Sequence, residues 1–303
     1  MNMQFPSPFM RNIRHSFEEK GERFLSDLPA LINEASRRWE LTDIQPVPNL
    51  SYNFVAFAKQ GGGDVILKIG VPNPELTSEM HALKLFNGEG ACRLLDHDEE
   101  MGFLLIERLH SGRMLADVED DDTRTRIAIE VMQNLIFRRG GITLPLQGDF
   151  IKLSDWFAEL EKIRPEFNGG TGPFPKVILE RVESFLPDLF AGKHQLIHGD
   201  FHHFNILSSQ RGWLAIDPKG VIGPAGYEIG PLMLNPWDNS MDGDRFKVRA
   251  KRRVDILHEQ MGWERESILQ WSMAHAVLSA WWDYPGGDWD YSLRCAEIFS
   301  EIK

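Results

Sequence analysis

The sequence predicts an α+β chain built as two lobes, a small β-rich N-lobe followed by a larger helical C-lobe. Three observations predict it. Strand-like runs crowd between about Leu41 and Glu107, with one helix-like segment among them. Apolar spacing of helical period dominates the remainder of the chain. The exception there is Leu196 to Pro218, "LIHGDFHHFNILSSQRGWLAIDP", where short apolar runs flank histidines, aspartates and an asparagine. The division expected from this change of pattern is 1–107 and 108–303.

Taken in order, residues 1–25 read as a loosely attached arm. "SDLPALINEASRRW" reads as a helix, with Ser26 or Asp27 as cap, Pro29 early, and Leu28, Leu31 and Ile32 on one face. "YNFVAFAKQGGGDVILKIG" is a hairpin turning at Gly61, Gly62 and Gly63. In "VPNPELTSEMHALKLFNGEG" Asn73 can cap a helix, Pro74 fits its first position, and Gly88 can end it. "CRLLDHD" and "GFLLIER" are two more strands, giving β-β-α-β-β behind the first helix. Helices are expected near 118–138, 153–163, 175–190, 243–261, 264–282 and 288–301.

The 303 residues suffice for two lobes with a real core. A net charge of −12 argues against general binding to nucleic acid or to an anionic membrane. It is compatible with a cationic small-molecule partner. Cys92 and Cys295 stand far apart and form no Cys-x-x-Cys, so two buried reduced thiols are expected. No secretory signal and no run of membrane-spanning length is read, so a cytoplasmic location is expected. The sequence leaves the oligomeric state open.

The histidine-rich loop carries the chemistry. A zinc site from His198, His202 and Asp200 is the first reading to weigh. Gly199 disfavours the helix that would align the histidines, and the Glu of His-Glu-x-x-His is absent. Phosphoryl transfer instead needs a carboxylate near the accepting hydroxyl and oxygen ligands for Mg²⁺. His198, Asp200 and Asn205 fit the spacing His-x-Asp-x-x-x-x-Asn of a kinase catalytic loop. Asp217 lies across a plausible hairpin, "NILSS" against "GWLAID", which would bring Asn205 and Asp217 together.

"LIHGDFHHFNILSSQRGWLAIDPKGVIG" resembles the core of the aminoglycoside phosphotransferases, in the streptomycin 6-kinase and hydroxyurea phosphotransferase branch, over about Leu196 to Pro236. The resemblance implies a bilobal protein-kinase-like fold and an ATP-dependent, Mg²⁺-dependent small-molecule kinase. It implies Asp200 as the residue orienting or deprotonating the acceptor hydroxyl, Asn205 and Asp217 as metal ligands, and His198 as a brace of the nucleotide-facing loop. His202 and His203 are left between phosphate contact and structural hydrogen bonding. Pro218 restricts the backbone after Asp217, so no flipping segment is expected. Glu228 stands where the family often has an aspartate, and could brace the loop.

In the N-lobe, strand alternation puts Lys68 on the face of Ile66, opposite Val65, Leu67 and Ile69. Glu79 shares a helix face with Leu76 and Leu83 and needs a cation there, so Lys68–Glu79 is the expected pair, with Glu75 as the competing partner. Ser51 and Asn53, in "PNLSYNFVAF", are candidate phosphate donors. The main chain from Glu107 to Leu109 is the candidate adenine contact. Asp238, Asp283 and Asp288 could meet a cationic acceptor, beside Trp281 and Trp282. The competing readings are a catalytically silent ATP-binding protein and a metal-dependent hydrolase.

Overall fold

The computed structural model describes residues 5–137, 149–237, 242–287 and 289–303. It opens on α1, Ser7–Arg38, which corrects the expectation of a loose arm. Phe9, Ile13, Phe24, Leu28, Ile32 and Ala35 are all buried. The charged residues between them are the solvent face of an amphipathic helix. The helix breaks at Glu18 (φ 46°, ψ −124°), and its halves fold against each other. A Cβ at Gly21 would lie 2.4 Å from the Ile13 carbonyl oxygen, so the approach needs glycine. Neither Ser26 nor Asp27 starts a helix, and Pro29 lies well inside α1.

Three strands, not two, precede the next helix: β1 (Leu41–Pro46), β2 (Phe54–Gln60) and β3 (Gly63–Ile69). β1 was hard to read because Leu41 is its only buried residue. Then come α2 (Pro74–Phe86), β4 (Leu94–Asp98) and β5 (Phe103–Glu107). The sheet is antiparallel, in the order β1-β2-β3-β5-β4. Val65, Leu67 and Ile69 pack in one cluster with the apolar face of α1. Ile66 joins Leu76, Met80 and Leu83 of α2 on the other side. Asn73 Oδ1 caps α2, accepting from Glu75 N at 2.8 Å and Leu76 N at 3.2 Å. Asn87, in the left-handed region, stops the helix one residue before Gly88.

The second part is mainly helical: α3 (Asp121–Ile136), α4 (Leu153–Ala158), α5 (Ile163–Glu166), α6 (Lys176–Phe190), α7 (Ile229–Leu234), α8 (Gly243–Met261), α9 (Arg265–Asp283) and α10 (Asp290–Glu301). The helix expected at 153–163 is α4 followed by a 3-10 stretch over Glu159–Lys162 that leads into α5. β6 (Ile151–Lys152), β7 (His194–Ile197) and β10 (Val221–Pro224) form a small sheet. Strands that short show no period in the sequence. The hairpin β8 (Ile206–Ser209) and β9 (Gly212–Ala215) falls where "NILSS" and "GWLAID" placed it. Both cysteines are free and buried. No helix among the described residues is long and apolar enough to cross a membrane.

One buried charge ties the helices under the loop. Arg253 of α8 is 1% exposed. It donates to Asp121 at 2.6 and 2.9 Å and to the carbonyls of Leu232 and Asn235. Arg253→Ala would strand those acceptors and should cost about 3–5 kcal/mol. A urea titration checks it, and a loss below about 1 kcal/mol would show that Asp121 and the carbonyls find other donors.

Candidate active site

The site forms where α2, β3, the loop after β7 and the end of β9 converge. Lys68 Nζ lies 2.7 Å from both carboxylate oxygens of Glu79 and also contacts Asp217 Oδ1. The first contact stays inside the N-lobe; the second joins it to the segment after β9. Burial alone would lower the Lys68 ammonium, but the charges of Asp217 and Glu79 outweigh it and hold the lysine well above its usual value. Burial would raise Asp217, yet Lys68 and then Lys219 hold its carboxylate well below the ordinary range. Glu75 does not compete for Lys68; it lies 3.5 Å from Lys219.

The catalytic-loop residues are close together. Asn205 Nδ2 donates to Asp200 Oδ2 at 3.2 Å and to the Asp200 carbonyl at 3.0 Å. The Asn205 carbonyl accepts from Ile216 N at 2.9 Å, which sets Asp217 beside it. Asp217 itself has φ 58°, a left-handed conformation that aspartate tolerates. The donor set suits Mg²⁺. The Asn205 amide nitrogen is spent on Asp200, which leaves its oxygen, and the Asp217 side chain is 46% exposed. Carboxylate and amide oxygens are ligands for a hard cation.

His198 cannot serve as a ligand in this arrangement. Its Nε2 donates to the Ile216 carbonyl at 2.9 Å, and its Nδ1 accepts from Asp200 N at 3.2 Å. The histidine therefore braces the loop with both nitrogens engaged. Glu228 braces it from below: its two carboxylate oxygens accept from His198 N at 2.5 Å and Gly199 N at 3.2 Å. Burial pushes that carboxyl up to about 8. Among the described residues, no cluster of three His, Cys, Asp or Glu could hold a metal, which leaves the zinc reading without support. His202 Nε2 lies 3.4 Å from both Asp200 Oδ1 and Asn205 Nδ2. His203 is fully buried with neither ring nitrogen partnered among the described residues, so structural hydrogen bonding is not found there.

The other candidates fall around this centre. A cleft of about 510 Å³ is lined by Tyr52, Asn53, Glu75, Glu79, Asp217 and Lys219, with Ser16 and Phe17 of α1 at its edge. Ser51 lies outside that lining, and its carbonyl accepts from Asn12 at 3.4 Å. The Glu107 N–H already donates to the Arg93 carbonyl at 2.9 Å, so it is not open to an adenine. The Glu107 carboxylate is clasped by Arg211, at 2.5 Å to Nη2, from the tip of the β8–β9 hairpin. Leu109 is buried in one cluster with Leu104, Ile106 and Leu214. Trp281 packs on Tyr284, while Trp282 is 41% exposed. Asp283 accepts from Ser279 Oγ at 3.4 Å. Asp238 and Asp288 lie outside the described residues. Sequence reasoning passed over Lys219 and the Arg211–Glu107 clasp; both are cations in loops, where the pattern shows only a solvated charge.

Three buried histidines give the protein a pH dependence. Burial pushes His198 and His275 down to about 4, and His203 well below its usual value. Each stays neutral in the fold but gains a proton near its ordinary value when unfolded. On these three groups the unfolded chain binds more protons below about pH 6.5, so their share of stability is lost as pH falls, while buried Glu228 and Glu79, held up to about 8 and about 7, take up protons in the fold and act in the opposite direction. The expected loss is about 2 kcal/mol per histidine between about pH 7 and pH 5. Urea midpoints across that range check it. His275→Gln should remove one histidine's share, so that the variant loses about 2 kcal/mol less than wild type between about pH 7 and pH 5, and a variant whose pH profile runs parallel to that of wild type would contradict the account.

This arrangement, a sheet lobe with an ion-paired lysine over a helical lobe with an Asp–Asn–Asp set, defines a protein-kinase-like phosphotransferase. Solved structures share the fold. A choline kinase LicA from Streptococcus pneumoniae has a TM-score of 0.62 at 16% identity, covering 91% of this chain and 99% of that one. A thermostable mutant of aminoglycoside phosphotransferase APH(4)-Ia, in ternary complex with ADP and hygromycin B, has a TM-score of 0.60 at 14% identity, covering 88% and 97%. The chain is also 31% identical over 290 residues to a streptomycin 6-kinase of Streptomyces glaucescens, 94% of this chain and 92% of that protein. Residues 38–287 match the family of aminoglycoside/hydroxyurea antibiotic resistance kinases, and the chain belongs to that family. It is a phosphotransferase with an alcohol group as acceptor, as the motif resemblance implied.

Proposed function

We propose that the chain transfers the γ-phosphate of ATP to a hydroxyl of a streptomycin-type aminoglycoside, with Mg²⁺. The observation that carries this is the contact of Lys68 with Glu79 and Asp217, beside the Asp200–Asn205 pair. The streptomycin-type acceptor rests on the 31% identity to a streptomycin 6-kinase.

In this reading residues 1–107 hold the nucleotide, and residues 108–303 carry the catalytic loop and acceptor site. Asp200 accepts a hydrogen bond from the acceptor hydroxyl and takes its proton as the oxygen bonds to phosphorus. The bond from that phosphorus to the β–γ bridging oxygen breaks, and the electron pair leaves on ADP. Lys68 steadies the phosphates, and Glu79 keeps Lys68 in place. Asn205 and Asp217 would hold Mg²⁺, which supplies charge neutralisation among the phosphate oxygens when bound. Asn53 donates to the phosphates from the β1–β2 loop; the adenine meets main chain beyond Glu107, toward Leu109. His198 and Glu228 hold the loop still.

The test is ADP release by the purified protein with Mg²⁺-ATP and a panel of streptomycin, other aminoglycosides, amino sugars and hydroxyurea. Release that depends on a streptomycin-type acceptor is expected. Nucleotide binding without turnover on any acceptor would favour a silent binding protein, and turnover only on a non-aminoglycoside would correct the acceptor.

A further inference from the structure

Lys219 lies two residues beyond Asp217 and takes no part in the transfer assigned to Lys68, Asp200, Asn205 and Asp217. Its main chain is fixed. Lys219 N and Gly220 N both donate to the His198 carbonyl, at 2.8 and 3.2 Å. The Gly220 carbonyl accepts from Ser78 Oγ of α2 at 2.5 Å. Gly220 has φ +65°, and a Cβ there would lie 2.4 Å from the Ser78 carbonyl oxygen. The base of the lysine is therefore pinned between the catalytic loop and α2.

Its side chain is held by charge, toward Asp217 first and then Glu75, with its nearest carboxylate contact a long one. Nζ lies 3.5 Å from Glu75 Oε2, with 38% of the lysine and 56% of the glutamate side chain exposed. A long, exposed pair of that kind contributes little and is readily exchanged. The cleft that Lys219 lines also carries three carboxylates, Glu75, Glu79 and Asp217. A polyanion entering there needs cations, and Lys68 is already shared between Glu79 and Asp217.

We propose that Lys219 binds the terminal phosphate of the nucleotide, as a second cation that meets the triphosphate from the C-lobe while Lys68 meets it from the N-lobe. Phosphoryl transfer spreads negative charge over the equatorial oxygens of the moving group, and a fixed ammonium there stabilises it without reorganising. Lys219 neither gives nor takes a proton; it leaves Glu75 for phosphate and returns when the product leaves. The inference rests on the kinase reading under Proposed function.

The experiment compares wild type, Lys219→Met, Lys219→Arg and Glu75→Gln. It measures calorimetric binding of AMP-PNP and of adenosine, and kcat and KM for ATP. Lys219→Met should weaken AMP-PNP about 10-fold and leave adenosine unchanged, and kcat should fall about 100-fold. Lys219→Arg should restore part of the triphosphate binding, and Glu75→Gln should keep it. Equal binding of AMP-PNP by Lys219→Met and wild type overturns the proposal. So does a matching loss for both ligands, or a Glu75→Gln variant with the same losses, since each makes Lys219 a structural partner of α2. A wild-type protein that binds neither ligand refutes the kinase reading itself, and this inference with it.

Discussion

Asp200→Asn should lower acceptor-dependent turnover about 10³-fold while nucleotide binding stays close to wild type. The substitution keeps the volume of the side chain and one oxygen that can face the acceptor. It removes the ability to take a proton. Asn205 Nδ2 approaches Asp200 Oδ2 at 3.2 Å, so the loop retains a partner for the new amide oxygen. The backbone is held separately, through His198 and Glu228, and should not move. Steady-state kinetics with the preferred acceptor, beside AMP-PNP calorimetry, check both halves. A kcat within about 10-fold of wild type would remove Asp200 from proton transfer and leave it a positioning role.

Asp217→Ala should abolish metal-assisted turnover, a fall of at least about 10³-fold. Binding should lose its metal dependence: AMP-PNP affinity measured with and without Mg²⁺ should become equal. The fold should survive, because Lys68 keeps both oxygens of Glu79 at 2.7 Å and is not left as an unpaired buried charge. A urea midpoint near that of wild type distinguishes a lost ligand from a lost structure. Binding that still responds to Mg²⁺ in the variant would move the metal to other oxygens.

Much of this site was legible because its chemistry is local. His198, Asp200, Asn205 and Asp217 lie within a single loop and hairpin, so their spacing survives as text. Lys68 and Glu79 were legible for another reason. Alternation in β3 and the apolar face of α2 force a lysine and a glutamate to meet across a buried layer. The N-terminal helix was hidden by its composition. Arg11, Arg14, Glu18, Glu19, Lys20, Glu22 and Arg23 crowd the few apolar residues that mark its inner face, and a break at Glu18 shifts their phase. β1 buries only Leu41, and β6 is two residues long, so neither leaves a pattern. Donor availability was invisible too: nothing in the letters says that the Glu107 N–H would be spent on Arg93.

The contact of Lys68 with Asp217 has a consequence for how nucleotide enters. An aspartate that answers to a lysine cannot also give its full charge to a divalent ion, so the two cations compete for it. In the proposed reading, loading the cleft is then an exchange of counter-ions across the seam between the lobes. Affinity for metal–nucleotide should reflect the difference between two strong attractions, and a neutral nucleoside, which offers no such exchange, would leave the seam fastened.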